Sequence, residues 1–250
     1  MLNIVVPMAG AGSRFAKAGF KDPKPLIPIF GKPMIQLVVN NLAPLIEHRF
    51  IFICQRAHVA EYGLQEKLSS YAPGCILIQL DGLTEGAACT VLAAKEFIDN
   101  DDALMIANSD QYVDTDINSY LDQIHEHHLD GLIMTMTATD PKWSFAAVDP
   151  NGKVTHVVEK QPISSEATVG IYNFKHGKDF VRGAKEMIAK DLRSNGEFYV
   201  APVYNQLIES GLHIGVWNIG DDAGNGMHGL GTPADLEIFK NNPQAPNWCL

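Results

Sequence analysis

The sequence predicts a single α/β domain built on a largely parallel sheet with helices on both faces. Short apolar runs rich in β-branched residues alternate with segments of helical length up to residue 137. Strands that alternate with helices pair in parallel and are buried on both sides. The chain has 250 residues, 46% of them apolar and 19% charged, a globular composition at a length one α/β domain can fill. No internal repeat or linker-like stretch divides it.

The run Leu2 to Val6, closed by Pro7, has the signature of a buried strand. Gly10-Ala11-Gly12-Ser13 follows as a loop of small residues. Further strands are expected at Phe50–Cys54, Ile76–Leu80, Leu104–Ala107 and Leu132–Thr137, with helices over Pro33–Ile46, Ala88–Ile98 and Ile117–His127 between them. The second half changes character. Phe145–Val148, Val154–Glu159 and Thr168–Phe174 read as shorter antiparallel strands, the first two joined by a turn at Asn151-Gly152. Helices around Asp179–Lys190 and Val200–Ser210, a strand at His213–Asn218 and a helix from near Pro233 complete a domain over residues 1–240. The tail 241–250 carries Asn, Pro and Gln and is expected to be loosely ordered.

Net charge is −10, which argues against nucleic acid as a partner, since that surface needs many Lys and Arg. The distribution is uneven. Residues 1–34 carry Arg14, Lys17, Lys21, Lys24 and Lys32 against Asp22 alone, a positive focus on an acidic body that suits a small polyanion in a cleft. The apolar runs are too short to span a bilayer and the first residues lack a basic-then-apolar leader, so the expected location is cytoplasmic, with no membrane partner. Cys54, Cys75, Cys89 and Cys249 form no CxxC pair and read as reduced structural thiols.

The informative segment is the strand, then Gly10-Ala11-Gly12-Ser13-Arg14, then Asp22-Pro23-Lys24-Pro25-Leu26. Glycines after a strand let the backbone approach a phosphate, and their N–H groups make an anion nest. Arg14 offers bidentate contacts and Lys24 a mobile point charge, together suited to a triphosphate. A dinucleotide fingerprint would place a third glycine where Phe15 stands, and no Gly-Lys-Ser/Thr follows for a Walker loop.

Pro7-Met8-Ala9-Gly10-Ala11-Gly12-Ser13-Arg14-Phe15, followed by Lys24-Pro25-Leu26-Ile27-Pro28 and Gly31-Lys32-Pro33-Met34-Ile35, resembles the N-terminal signature of the sugar-phosphate nucleotidyltransferases. The likeness continues through Glu85-Gly86-Ala87-Ala88, Asn108-Ser109-Asp110, Val158-Glu159-Lys160, Gly170-Ile171-Tyr172 and Gly231-Thr232-Pro233-Ala234-Asp235-Leu236. It implies a Rossmann-like, glycosyltransferase-A type core with a mixed, mainly parallel sheet. Residues 1–130 would form the nucleotide half and 131–240 the acceptor half. It further implies NMP transfer from an NTP, CTP first with UTP and dTTP behind, to a small phosphorylated acceptor, with Mg2+ and release of pyrophosphate. Homodimers are common in that family.

Carried over, Arg14 and Lys24 are the catalytic cations. Ala9, Gly10, Ala11, Gly12, Ser13 and Arg14 would hold the nucleotide together with Gln79, Glu85, Gly86 and Ser109. Lys160, Gly170 and Tyr172 would meet the acceptor, and Asp110 the metal. An ionised phosphate monoester attacking the α-phosphorus needs positioning and charge neutralisation rather than a general base. Magnesium takes oxygen ligands and keeps several waters, so one carboxylate plus phosphates can suffice.

One position departs from the family pattern. A second metal-binding Asp would precede Leu230-Gly231-Thr232, and this chain has Gly229 there. Asp221, Asp222, Glu197 or His228 are the candidates to replace it, and the same departure leaves non-sugar phosphoesters open as acceptors. Two rival classes differ in what they need. A glycosyltransferase of similar fold has no use for Arg14 and Lys24 around a pyrophosphate, whereas a silent nucleotide-binding regulator would keep the glycine loop. His125, His127 and His128 have no Cys or spaced carboxylate nearby and read as a solvated surface.

Overall fold

Six residues, Leu2–Pro7, form β1, and five of them are buried. The computed structural model describes residues 1–10, 12–221 and 225–249. After β1 come α1 (Ser13–Lys17), a 3-10 turn at Lys24–Leu26, and a hairpin of β2 (Pro28–Ile29) and β3 (Lys32–Pro33). Next are α2 (Met34–Leu42), β4 (His48–Gln55), α3 (Arg56–Tyr62), α4 (Leu64–Tyr71), β5 (Ile76–Leu80), α5 (Ala87–Leu92) and α6 (Lys95–Ile98). Then follow β6 (Ala103–Ala107), β7 (Gln111–Val113), α7 (Ile117–Glu126) and β8 (Gly131–Thr137). The second half holds β9 (Ser144–Val148), β10 (Val154–Glu159), β11 (Glu166–Phe174), α8 (Gly177–Ala189), α9 (Val203–Glu209) and β12 (Ile214–Asp221). It closes with β13 (Met227–Gly229), α10 (Pro233–Lys240) and α11 (Ala245–Trp248).

Among the described residues one sheet runs β10-β9-β11-β6-β1-β4-β5, with β8 pairing β11 and β12 beside this path. β1 lies parallel between β4 and β6, and β4 pairs in parallel with β5, so these four carboxyl ends share one edge. Across β6 the direction reverses, because β11 is antiparallel to β6, β8 and β9. The sheet is therefore evenly mixed, its parallel pairing confined to the first half and the β8–β12 pair. β9 and β10 form the expected hairpin, its turn fixed by the Asp149 carboxylate accepting from Asn151 N at 2.8 Å and Lys153 N at 3.0 Å.

Two large buried clusters cover the two faces. One packs α2, α4 and α7 against the sheet through Ile35, Val38, Leu42, Leu68, Tyr120 and Leu121. The other packs α5, α8 and α9 through Val91, Phe180, Val181, Val203 and Leu207. Burying each such side chain contributes on the order of 1.5–3 kcal/mol, enough to fix the sheet faces against water.

Local chemistry sets several boundaries the sequence reading placed elsewhere. The helix expected to reach Ile46 stops at Leu42, since Pro44 disfavours helical conformation at Ala43, whose ψ is 110°. The helix expected over Ala88–Ile98 is two short ones, α5 and α6, separated at Ala93 and Ala94. Residues 56–71 contain two helices that were not expected, split by Gly63 in the left-handed region at φ 59°. Where a loosely ordered tail was expected over 241–250, the described residues 241–249 carry α11, with Ala245 and Cys249 buried in a third cluster beside Phe15, Leu236 and Phe239. Trp248 supplies the reason, stacking on Tyr112 at 4.8 Å and meeting His228 at 4.6 Å.

Candidate functional site

A cavity of about 660 Å3 opens at the shared carboxyl edge of the parallel strands. Open α/β sheets place ligands there, where loops leave adjacent strands together. After β1 the lining runs Pro7, Met8, Ala9, Gly10 and Gly12, and after β6 it is Asn108, Ser109 and Asp110. Helix α3 contributes His58 and Tyr62, the loop after β5 contributes Leu83, Thr84 and Gly86, and residues 20–25 fold along the mouth. Glu197 reaches in from the loop before α9.

The glycine loop is built for exposed backbone. Gly10 has open space where a side chain would stand, and Gly12 is left-handed at φ 59°, a conformation that turns the chain into α1 without a side-chain cap. The Gln55 amide, at the end of β4, donates to Ala9 O at 2.7 Å and steadies the loop from behind. Ser13 and Arg14 lie on α1, exposed and outside the cavity lining. The Arg14 guanidinium has no hydrogen-bond or ion-pair partner among the described residues, leaving all its donors for a ligand. Ala11 lies outside the described residues, as does Asp222.

At the centre the Lys24 Nζ donates to Asp110 Oδ2 at 2.7 Å, with the two side chains 23% and 24% exposed. The sequence separates them by 86 positions, and the 3-10 turn at Lys24–Leu26 and the end of β6 bring them together. Asp110 is held in place by its neighbours. Its carbonyl accepts from Leu230 N at 2.8 Å, and β7 and β13 pair just beyond it, Gln111 opposite Gly229. A side chain at Gly231 would put its first carbon 2.6 Å from Asp110 Oδ2, so only glycine leaves this carboxylate its position. Gly229 is different: a side chain there would begin 3.6 Å from the Asp235 carboxyl carbon. His228 is buried among Tyr112, Phe239 and Trp248, and that burial lowers its pKa. Among the described residues of the four candidates, Asp221, Glu197 and His228, Glu197 lines the cavity with Asp110.

Two more glycines shape the walls. Gly86, at φ 132°, comes so close to Phe198 that a side chain would meet its carbonyl oxygen at 2.5 Å. Phe198 N donates to Glu85 O at 2.9 Å and Ala88 N to Phe198 O at 3.0 Å, which docks the Glu197 loop beside the start of α5. Glu85 itself points its carboxylate to Arg193 at 2.5 Å and does not line the cavity. Gly170, at φ 79° in the irregular part of β11, makes room for Asn108, whose amide nitrogen would sit 2.1 Å from a side-chain carbon there.

The remaining expected residues are spread wider. Tyr172 is buried in the sheet with its hydroxyl 3.0 Å from that of Thr168, and burial raises its pKa. The Gln79 oxygen accepts from Arg56 at 3.2 Å, outside the lining. Lys160, at φ 56°, donates to the Tyr199 hydroxyl at 2.9 Å and stands over that ring at 4.9 Å. The Tyr199 hydrogen bond raises the Lys160 pKa, with the neighbouring acidic groups Glu159 and Glu197 adding to it. Burial raises the Glu159 pKa, and the Ser144 hydroxyl opposes this by donating to the carboxylate. Sequence reasoning missed His58 and Tyr62, which carried no local signal. Thr84 lies within the stretch from Gln79 to Gly86 that the resemblance assigned to the nucleotide, and Asn108 within its Asn108-Ser109-Asp110 motif.

Known proteins resemble this chain in sequence and fold. The chain is 26% identical over 230 residues to the bifunctional protein GlmU of Methanococcus maripaludis, covering 87% of this chain and 51% of that protein. A second GlmU, from Methanocaldococcus jannaschii, is 23% identical over 177 residues, or 69% of this chain and 40% of that one. The chain thus spans about half the length of these curated relatives. Among solved structures, the nucleoside-diphosphate-sugar pyrophosphorylase from Vibrio cholerae RC9 superposes with a TM-score of 0.80 at 27% identity, over 95% of this chain and 99% of that one. The inositol-1-phosphate CTP transferase of T. maritima shares the fold, with a TM-score of 0.67 at 13% identity over 93% and 90% of the two chains. Residues 4–198, which hold the glycine loop, Lys24, Asp110 and Glu197, match the family model described as nucleotidyl transferase. By its sequence, its sheet and the residues gathered at its strand ends, this chain belongs to the nucleotidyl transferase family.

Proposed function

We propose that this protein transfers the NMP part of a nucleoside triphosphate to a small phosphorylated acceptor, a sugar phosphate before other phosphoesters, and releases pyrophosphate. The observation that carries the reading is the Lys24–Asp110 pair at 2.7 Å beside the glycine loop, a cation and a carboxylate at the carboxyl ends of parallel strands. The likeness to the nucleoside-diphosphate-sugar pyrophosphorylase of Vibrio cholerae supports a sugar phosphate as acceptor. CTP is the first nucleotide to test, with UTP and dTTP next.

In this reading an acceptor phosphate oxygen attacks the α-phosphorus. The new P–O bond forms as the α–β bridging bond breaks, and pyrophosphate leaves with that electron pair. The backbone N–H groups around Gly10 and Gly12 face the phosphates, and Arg14 closes on the departing pyrophosphate. Lys24 leaves Asp110 for the α-phosphate, where neutralising charge developed in the transition state is worth most. Lys160, held by Tyr199, meets the acceptor phosphate.

Mg2+ fits the donors present. Asp110 offers carboxylate oxygens in the cavity, Glu197 lines the same space, and no group of three or more His, Cys, Asp or Glu among the described residues forms a closed cage. Asp110, with Glu197 in the same lining, would hold the ion, and when bound it would withdraw charge from the α-phosphate. The test is magnesium-dependent pyrophosphate release, with CTP, UTP, dTTP, ATP and GTP each paired with sugar phosphates and small non-sugar phosphoesters. Release with one pair supports the reading and names both substrates. Silence across the panel, with measurable nucleotide binding, overturns it in favour of a binding protein.

A further inference from the structure

Helix α3 is a short helix with no fully buried residue, yet two of its side chains, His58 and Tyr62, line the cavity. Spaced four apart, they share one helix face. Their rings lie 6.0 Å apart at 68°, an edge-to-face pair half open to the cavity. Leu83, 68% exposed, lines the same cavity from the loop after β5. An exposed leucine beside two rings at a cavity wall is a surface with apolar area still to cover.

The strand order places this wall relative to the phosphate groups. β1 and β6 carry the glycine loop and Asp110, β4 and β5 flank them on one side, and β11, β9 and β10 on the other. The β10 side ends in Glu159, followed by Lys160 with its ammonium on the Tyr199 hydroxyl, a charged environment suited to a phosphorylated acceptor. The β4 side offers His58, Tyr62, Leu83 and the Thr84 and Thr90 hydroxyls, 2.6 Å apart. A nucleoside triphosphate with its phosphates at the glycine loop must send its base to one side, and a flat heterocycle is better matched by rings and hydroxyls than by paired charges.

We infer that His58 and Tyr62 form the stacking platform for the nucleobase, making α3 a determinant of nucleotide affinity. The inference rests on the nucleotidyl-transfer reading and adds the residues that hold the base. Residues 20–25 complete the enclosure, Phe20 and Asp22 lining the same cavity as Tyr62.

The experiment is calorimetric binding of CTP, UTP and inorganic tripolyphosphate, with magnesium, to the wild type and to His58→Ala, Tyr62→Ala and Tyr62→Phe. Stacking predicts roughly a 5- to 150-fold loss of nucleotide affinity in each alanine variant, unchanged tripolyphosphate affinity, and recovery in Tyr62→Phe, which keeps the ring. Intact tripolyphosphate binding also reports that each variant has kept its fold. Nucleotide affinity unchanged in both alanine variants overturns the platform while leaving nucleotidyl transfer standing, as does a phenylalanine variant as weak as the alanine one. A wild type that binds neither nucleotide nor tripolyphosphate overturns the nucleotidyl-transfer reading, and the platform with it.

Discussion

Gly231→Ala is the sharpest probe of the centre of the site, because it adds one carbon and no charge. That carbon would stand 2.6 Å from Asp110 Oδ2, where ordinary contact begins at 3.4 Å, so the carboxylate must retreat by about 0.8 Å. Gly231 is not among the glycines with positive φ, so alanine brings no backbone strain there and the whole effect falls on Asp110. Misplacing a reacting or metal-holding group by about 1 Å costs on the order of 100-fold in rate, about 2.7 kcal/mol of transition-state stabilisation. The stability loss should stay near 1 kcal/mol, the low end for overpacking, because the displaced atom ends a partly exposed side chain. Steady-state pyrophosphate release across a magnesium titration, with thermal melting alongside, reads both quantities. Gly229→Ala is the matched control, since its added carbon meets Asp235 at an ordinary 3.6 Å. Gly231→Ala within about twofold of the wild type in kcat/KM and in magnesium dependence would refute the placement of Asp110 at the reacting phosphates.

Other outcomes follow from the same geometry. Lys24→Ala should lower kcat by about 100- to 1000-fold with circular dichroism unchanged, as expected for loss of a preorganised charge at the transition state. Gly86→Ala forces a left-sided φ of 132° on a residue with a side chain and drives that side chain into the Phe198 backbone. A loss of about 3 kcal/mol, or roughly 6–12 °C in Tm by calorimetry, is expected. Glu159 gives a pH signature. Burial raises its pKa above the usual 4.5, so the folded chain holds a proton that the unfolded chain has already released. Its contribution to stability is therefore present at low pH and lost as pH rises from about 4.5 through the raised value. Glu159→Gln should flatten that fall in a series of melts, and an unchanged slope would show that another group titrates.

The alternation of apolar runs made most strands legible, because a strand buried on both faces needs a continuous apolar segment such as Ile4–Val6 or Leu104–Ala107. The glycine loop and Lys24 stood out by residue type, backbone exposure and charge, and Asp110 through the family resemblance alone; the structure brings them to one cavity. What could not be read depended on distant chain. Nothing local to Arg56–Tyr62 predicts a cavity wall, since His58 and Tyr62 acquire that role only when β4 lies beside β1. Gly231 likewise looks like a turn glycine until β13 pairs with β7 and brings it against Asp110. Gln79, Glu85 and Tyr172 hold to Arg56, Arg193 and Thr168, and no spacing rule distinguishes such structural contacts from ligand contacts. The tail misled because composition reports average polarity, whereas a single Trp248 meeting Tyr112 and His228 is enough to order it.

The flanking of β1 by β4 and β6 also bears on how the chain matures during its synthesis. Leu2 pairs with His48 on one side and with Ala103 on the other. At translation rates of about 5–20 residues per second, the second partner leaves the ribosome several seconds or more after the first. Through that interval the Ile4–Val6 segment presents an apolar, half-paired edge, the kind of surface that recruits nascent-chain chaperones. Asp110 waits longer still, because the glycine that shapes its surroundings is more than a hundred codons downstream. A ribosome stalled between those points would carry a chain with its glycine loop made and its carboxylate unset.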